Sequence, residues 1–102
     1  DPALVAAGGV ALQAIYKAFH WLQEHATDRP ALEAGARRFA HTLGRALALA
    51  LLVEQAQWSL THEADGRARA AAVRFAHTPI DLLVATDLAD DWALADDEPL
   101  AA

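Results

Sequence analysis

PALEAGARRFAHTLGRALALALLVEQAQWSLTH, residues 30–62, runs without a proline or a turn cluster after its first position. Alanine, leucine, glutamine and arginine dominate it, and these are strong helix formers. The stretch therefore predicts one continuous helix. At about 1.5 Å per residue it would span roughly 50 Å, whereas a compact domain of this size has a radius of gyration of about 13 Å. Such a helix is too long for a self-contained globule. The alternation in ALALALLV also fits a strand, but alanine is a poor strand former and the helical period continues on both sides.

Placed at helical intervals, the side chains fall into stripes. Phe39, Leu43, Leu47 and Ala50 form an expected core row. Ala36, Ala40, Gly44 and Ala48 form an adjacent row of small residues at i+4 spacing, which would let a neighbouring helix approach closely. Arg37, Arg38, His41 and Arg45 lie opposite. Toward the C-terminus that side becomes Leu49, Leu52, Val53, Ala56 and Leu60. The second apolar face is predicted to need cover, because leaving several leucines in water at about 25 cal/mol per Å² forfeits a few kcal/mol of a total stability of about 5–15 kcal/mol.

Working outward, Asp1-Pro2 supplies an N-cap and a proline at the first helical position, opening a helix over about 2–26. Its expected buried stripe is Leu4, Gly8, Ala11, Ile15, Phe19, Leu22 and Ala26. Thr27-Asp28-Arg29-Pro30 is a turn and a second cap, and so short a connection makes the two helices antiparallel. Asp65-Gly66 stops the long helix near residue 63, with the glycine suited to a left-handed cap. A third helix follows over about 67–77, burying Ala68, Ala71, Ala72 and Phe75. Thr78-Pro79-Ile80-Asp81 then predicts a kink or break and a short helix over 79–88. The expected fold is an all-α antiparallel bundle of three to four helices occupying residues 1–86, with an acidic C-terminal tail at 87–102.

The chain has 102 residues, 55% of them hydrophobic, and no cysteine. Disulfides and thiolate metal sites are excluded, and a cytoplasmic location is expected. No signal peptide or unbroken apolar run of about 18 residues occurs, so no membrane association is expected. Absence of methionine suggests a piece of a longer protein. Of fourteen acidic residues, Asp87, Asp90, Asp91, Asp96, Asp97 and Glu98 lie in the tail, and the eight others balance the eight basic ones. Nucleic-acid binding needs a net basic footprint, and this balance argues against it.

Glu54 projects into the sector of Ala36, Leu43, Leu47 and Trp58, so it is expected to be buried. A buried carboxylate needs a partner or a raised pKa, and either an ion pair or a functional role at an interface would satisfy that. Gln57 and Trp58 extend the same face. The Arg37, Arg38, His41, Arg45 ladder either contacts phosphate groups or forms a solvated surface. Histidines 20, 25, 41, 62 and 77 show no metal-ligand spacing beyond the lone His20/Glu24 pair. No nucleophile motif, glycine-rich phosphate loop or acid–base pair is present.

LEAGARRFAHTLGRALALALLVEQAQWSL, followed by ARAAAVRFAHTPIDLL, resembles the C-terminal helical domain of acyl-CoA dehydrogenases, most closely the branch related to adaptive alkylation-response proteins. The resemblance covers about residues 31–86. It implies an FAD-dependent parent flavoprotein with upstream helical and β domains, in which C-terminal bundles meet in oligomers. The family's catalytic carboxylate and flavin-contacting segment would lie before Asp1, so no catalytic residue transfers. Within such a parent this chain would contribute to subunit assembly and to shaping the flavin and substrate site, with Glu54, Gln57, Trp58, Leu49, Leu52 and Leu60 as interface or buried polar positions. Its expected partner is a second copy or the remainder of the flavoprotein, and the chain alone should hold no FAD. A non-catalytic helical interaction module is the alternative.

Overall fold

The computed structural model describes residues 1–83. Among them the chain is all-helical: α1 spans Pro2–Glu24, α2 spans Arg29–His62 and α3 spans Arg67–Ala76. The expected acidic tail and the 84–88 part of the expected fourth helix lie outside the described residues. Residues 79–83 are not helical.

Local chemistry sets each helix start. Asp1 Oδ1 accepts the Ala3 and Leu4 amides at 2.8 and 3.3 Å, which caps α1 ahead of Pro2. Asp28 Oδ1 accepts the Ala31 amide at 3.2 Å and caps α2. At the far end of α2 the left-handed residue is Ala64 (φ 52°), and Gly66 instead caps the start of α3 with φ −93°. The Asp65 amide reaches back to Ser59 O at 3.3 Å. Ser59 O thus accepts from both the Glu63 and the Asp65 amides, and the left-handed residue falls two positions before the glycine.

Each helix has a histidine at its C-terminal end, His62 as the last residue of α2 and His25 and His77 just after α1 and α3. Nδ1 of His25, His62 and His77 lies 2.8, 3.0 and 2.7 Å from the carbonyl oxygen four residues earlier, on Trp21, Trp58 and Val73. A carbonyl only accepts, so the ring nitrogen donates and Nδ1 carries the proton. Each imidazole thereby adds a side-chain donor to a carbonyl in the last turn of its helix.

α1 and α2 form an antiparallel hairpin, and α3 folds back over one half of it. The molecule extends 56 × 27 × 16 Å with a radius of gyration of 17.2 Å, so its length is that of α2. Small residues dominate the core: Ala7, Ala11, Ala14, Ala46, Leu49 and Ile80 form one buried cluster, and Leu4, Ala56 and Ala72 form a second. Alanine faces permit close approach of the helix axes. At the hairpin tip Trp21 stacks on Phe39 with centroids 5.7 Å apart, and its ring fills the space a Cβ on Gly35 would need.

Several expected stripes are rotated. Leu49 and Ala56 are completely buried, with Leu52, Val53 and Leu60 packed against the core. The face predicted to need an outside partner is thus the one α1 and α3 cover between them. Leu47, placed in the core row, is 55% exposed, while Phe39, Leu43 and Ala50 are half-buried. The row Ala36, Ala40, Gly44, Ala48 is exposed, and no described helix lies on it. On α1 the buried stripe turns toward Ala7, Ala14 and Ala18, leaving Phe19 53% exposed. On α3 Ala72 is buried and Ala71 exposed. The common cause is direction: α3 packs beside Leu52, Ala56 and Leu60, on the flank of α2 that the sequence assigned to solvent or to a partner.

α1 also contains an 18-residue window with mean hydropathy 1.3, sufficient by length and composition alone to cross a bilayer, against the expectation from unbroken runs. Core helices of soluble proteins pass the same test.

Candidate functional site: an uncovered two-helix face

The largest side chains of α1 and α2 do not all point inward. On α1, Val5, Leu12, Tyr16 and Phe19 are 75%, 70%, 77% and 53% exposed; on α2, Leu47, Leu51 and Trp58 are 55%, 65% and 48% exposed. Val5 and Trp58 line one furrow with Leu4, Val53, Glu54 and Gln57, so the two helical stripes meet at that end. Its α2 residues face away from the Leu52, Ala56, Leu60 flank that meets α3. Contiguous apolar patches of several hundred Å² mark interaction surfaces on soluble domains.

Glu54 belongs to this surface. It is exposed, and no cation stands within ion-pair distance among the described residues, which corrects the expectation of a buried, paired carboxylate. The reason is the same rotation: its sector, shared with Leu47 and Trp58, is the uncovered one. Gln57 is exposed and donates to Thr61 Oγ1 at 3.3 Å. Trp58 stacks on His62 with centroids 4.8 Å apart and an interplanar angle of 17°. Sequence reasoning named Glu54 and Trp58 and missed Leu51 and the whole α1 stripe. The missed signal was present in Val5, Gly9, Leu12, Tyr16 and Phe19, which recur at intervals of four and three.

The arginine ladder divides. Arg45 is engaged within the fold: Nε donates to Pro79 O at 2.7 Å, Nη2 donates to Thr78 Oγ1 at 2.8 Å, and the guanidinium lies 5.0 Å from the Phe75 ring centroid. Arg38 is half-buried, and Arg37 and His41 are exposed. The four do not present one row to a phosphate. Opposite, the Leu82 amide donates to the buried Thr42 Oγ1 at 2.9 Å, so Arg45 and Thr42 together tie residues 78–83 across the hairpin. Neither anchor role was read from the sequence.

His20 Nε2 and Glu24 Oε1 are 3.0 Å apart, and no group of three metal-binding side chains occurs among the described residues. At the α2–α3 turn Arg67 forks onto Asp65, with Nη2 to Oδ2 at 2.7 Å and Nε to Oδ2 at 2.9 Å. That hydrogen bonding holds the Asp65 carboxyl below its ordinary value and raises the Arg67 guanidinium.

The chemistry of an FAD site can be tested against these residues. A dinucleotide needs backbone amides turned toward its pyrophosphate and an enclosed slot for its ring. Four of the five glycines sit inside helices, Gly35 is filled by Trp21, and Gly66 precedes an Arg67 amide already bonded to Asp65. The furrows on α1 and α2 run along the surface. The described residues do not form a flavin site by themselves.

A family described as Acyl-CoA dehydrogenase 11 C-terminal domain-like matches residues 4–99. No curated protein and no solved structure matches the chain. The match specifies the domain and not the alkylation-response branch. With three packed helices and all but a few residues matched, the chain belongs to the acyl-CoA dehydrogenase 11 C-terminal domain-like family.

Proposed function

We infer that the chain is the C-terminal helical domain, fragment or subunit of an FAD-dependent acyl-CoA dehydrogenase-like flavoprotein, and that it serves assembly and the outer shaping of the flavin and substrate site. The observation that carries this reading is the set of exposed large apolar side chains on α1 and α2 of a domain of that family. In this reading flavin binding and proton abstraction belong to other parts of the parent. Arg37 and His41 are exposed beside the face, and nucleic acid is not among the partners proposed. The working compartment is cytoplasmic.

The test has two arms. Purified chain incubated with excess FAD and passed through gel filtration should emerge colourless and should not oxidise acyl-CoA; a stoichiometric yellow complex would place the cofactor site here. Sedimentation velocity at micromolar concentration should show self-association, lost in Leu51→Glu/Trp58→Glu with helical circular dichroism retained. A well-folded monomer would remove the assembly role.

A further inference from the structure

The flank of α2 that meets α3 continues beyond α3. Leu52, Ala56 and Leu60 pack at the α3 level, and toward the hairpin tip the same side of the helix carries Arg45, His41, Arg38 and Ala34. Between residues 31 and 45 α2 holds three arginines against one acid, Glu33. Across from it on α1, Ala7, Ala11 and Ala14 pack with Ile80, and the next turns of that row bring Lys17, Ala18 and Trp21. The tip half of the hairpin is lined by small residues on this flank and bordered by cations on both helices.

The chain after α3 runs onto this ground. Pro79 O accepts from Arg45, and three residues later the Leu82 amide donates to Thr42, one turn closer to the tip. There Asp81 Oδ1 accepts the Leu83 amide at 2.9 Å. Asp1 makes the same i+2 bond to Ala3 at 2.8 Å where α1 starts, and Asp65 makes it to Arg67 at 2.9 Å where α3 starts. An aspartate that accepts an amide just ahead of it is a helix-start signal. The sequence that follows suits a helix with one apolar edge: Val84, Leu88 and Trp92 recur every four residues, and Asp87 and Asp91 stand beside them at the same spacing.

We propose that residues 84–95 form a further helix, started by Asp81, that lies along the tip half of the hairpin. Leu88 and Trp92 meet Ala34 and Ala31, and the Asp87, Asp91 row faces Arg38 and Arg37. Charge selects this occupant, because the chain is formally neutral through residue 86 and carries its whole net charge of −6 beyond it. Length agrees: helical residues 84–95 would rise about 18 Å at about 1.5 Å per residue, and α2 runs about 20 Å from Thr42 back to its start at Arg29. The arginine ladder thereby takes its anionic partner from within the chain. This contact uses the side of α2 away from Leu47, Leu51 and Trp58, so it stands or falls separately from the assembly reading.

The full chain has no cysteine, which allows a direct test. Ala34→Cys/Leu88→Cys should close an intramolecular disulfide on mild oxidation, seen as a faster-running monomer on a non-reducing gel, and Leu51→Cys/Leu88→Cys should not. A cross-linked dimer would give the tail to a second copy and overturns the inference, as does an absent cross-link or an equal yield in the control pair. Independently, Asp87→Lys/Asp91→Lys should speed hydrogen exchange at the amides of residues 35–41 roughly tenfold, while the amides of Leu52 to Ala56 keep their protection. Adding Arg37→Asp/Arg38→Asp should restore slow exchange by swapping the charges. Unchanged exchange at 35–41, or a loss that the swap leaves in place, overturns the inference.

Discussion

Ala64 shows how a single residue is governed by backbone geometry. Its φ of 52° is a conformation that costs a non-glycine residue about 1–2 kcal/mol, and it is exposed, so its methyl contributes no packing. Ala64→Gly removes that strain, while the freer unfolded chain takes back about 0.4–1 kcal/mol. The net expectation is a stabilisation of about 0.5–1 kcal/mol, read as a higher midpoint in urea unfolding. One residue on, Asp65 has its carboxyl held down by the Arg67 fork. A depressed carboxylate contributes stability above its unfolded pKa and loses it as pH falls through the folded value. Wild type should therefore exceed Asp65→Asn in thermal stability at neutral pH, and the gap should close progressively below about pH 4. An undiminished gap in strong acid would show that the fork is not its source.

At the scale of elements, the segment after α3 is the informative one. Threonine, proline and aspartate at 78–81 read as a helix start, yet residues 79–83 are not helical, and three hydrogen bonds and a buried side chain tie residues 78–83 across the hairpin. Arg45 and Thr42 supply the bonds, and Ile80, 3% exposed, inserts into the Ala7, Ala11, Ala46 cluster. Tertiary contacts outweigh a local start signal of about 1 kcal/mol. Thr42→Val should leave the Leu82 amide without an acceptor and cost about 1–3 kcal/mol. Hydrogen exchange checks this, since the Leu82 amide should exchange much faster in Thr42→Val while the amides of Ala7 to Ala14 in α1 keep their protection.

For the whole molecule, two leucines two residues apart test where the interior lies. Leu49 is fully buried and Leu51 is 65% exposed. Leu49→Ala should cost about 2–5 kcal/mol, lowering the melting temperature by about 8 °C or more at about 4–8 °C per kcal/mol for a domain of this size. Leu51→Ala, measured in dilute monomer, should change it little and act on association instead. Equal losses at both positions would mean that the rotation of α2 is wrong. The length of α2 magnifies the distinction, because a 34-residue helix exposes far more girth than one partner helix and a ten-residue α3 can cover.

Composition and period were enough for the helices. The Asp1, Asp28 and Asp65-Gly66 signals, the uninterrupted 30–62 run and the alanine-rich stripes act within a few residues of themselves, so α1, α2 and α3 were legible from the chain alone, as was the family resemblance carried by their packing pattern. Which face of α2 became interior was not legible. Apolar residues nearly encircle its C-terminal half, and the choice between Leu47, Leu51, Trp58 and Leu49, Ala56, Leu60 depends on the side to which α3 returns. That side is selected by contacts made more than thirty residues apart, chiefly Arg45 with Thr78 and Pro79 and Thr42 with Leu82. Helical periodicity records how side chains are spaced around an axis; only the packed tertiary structure supplies the direction from which the neighbouring helices approach.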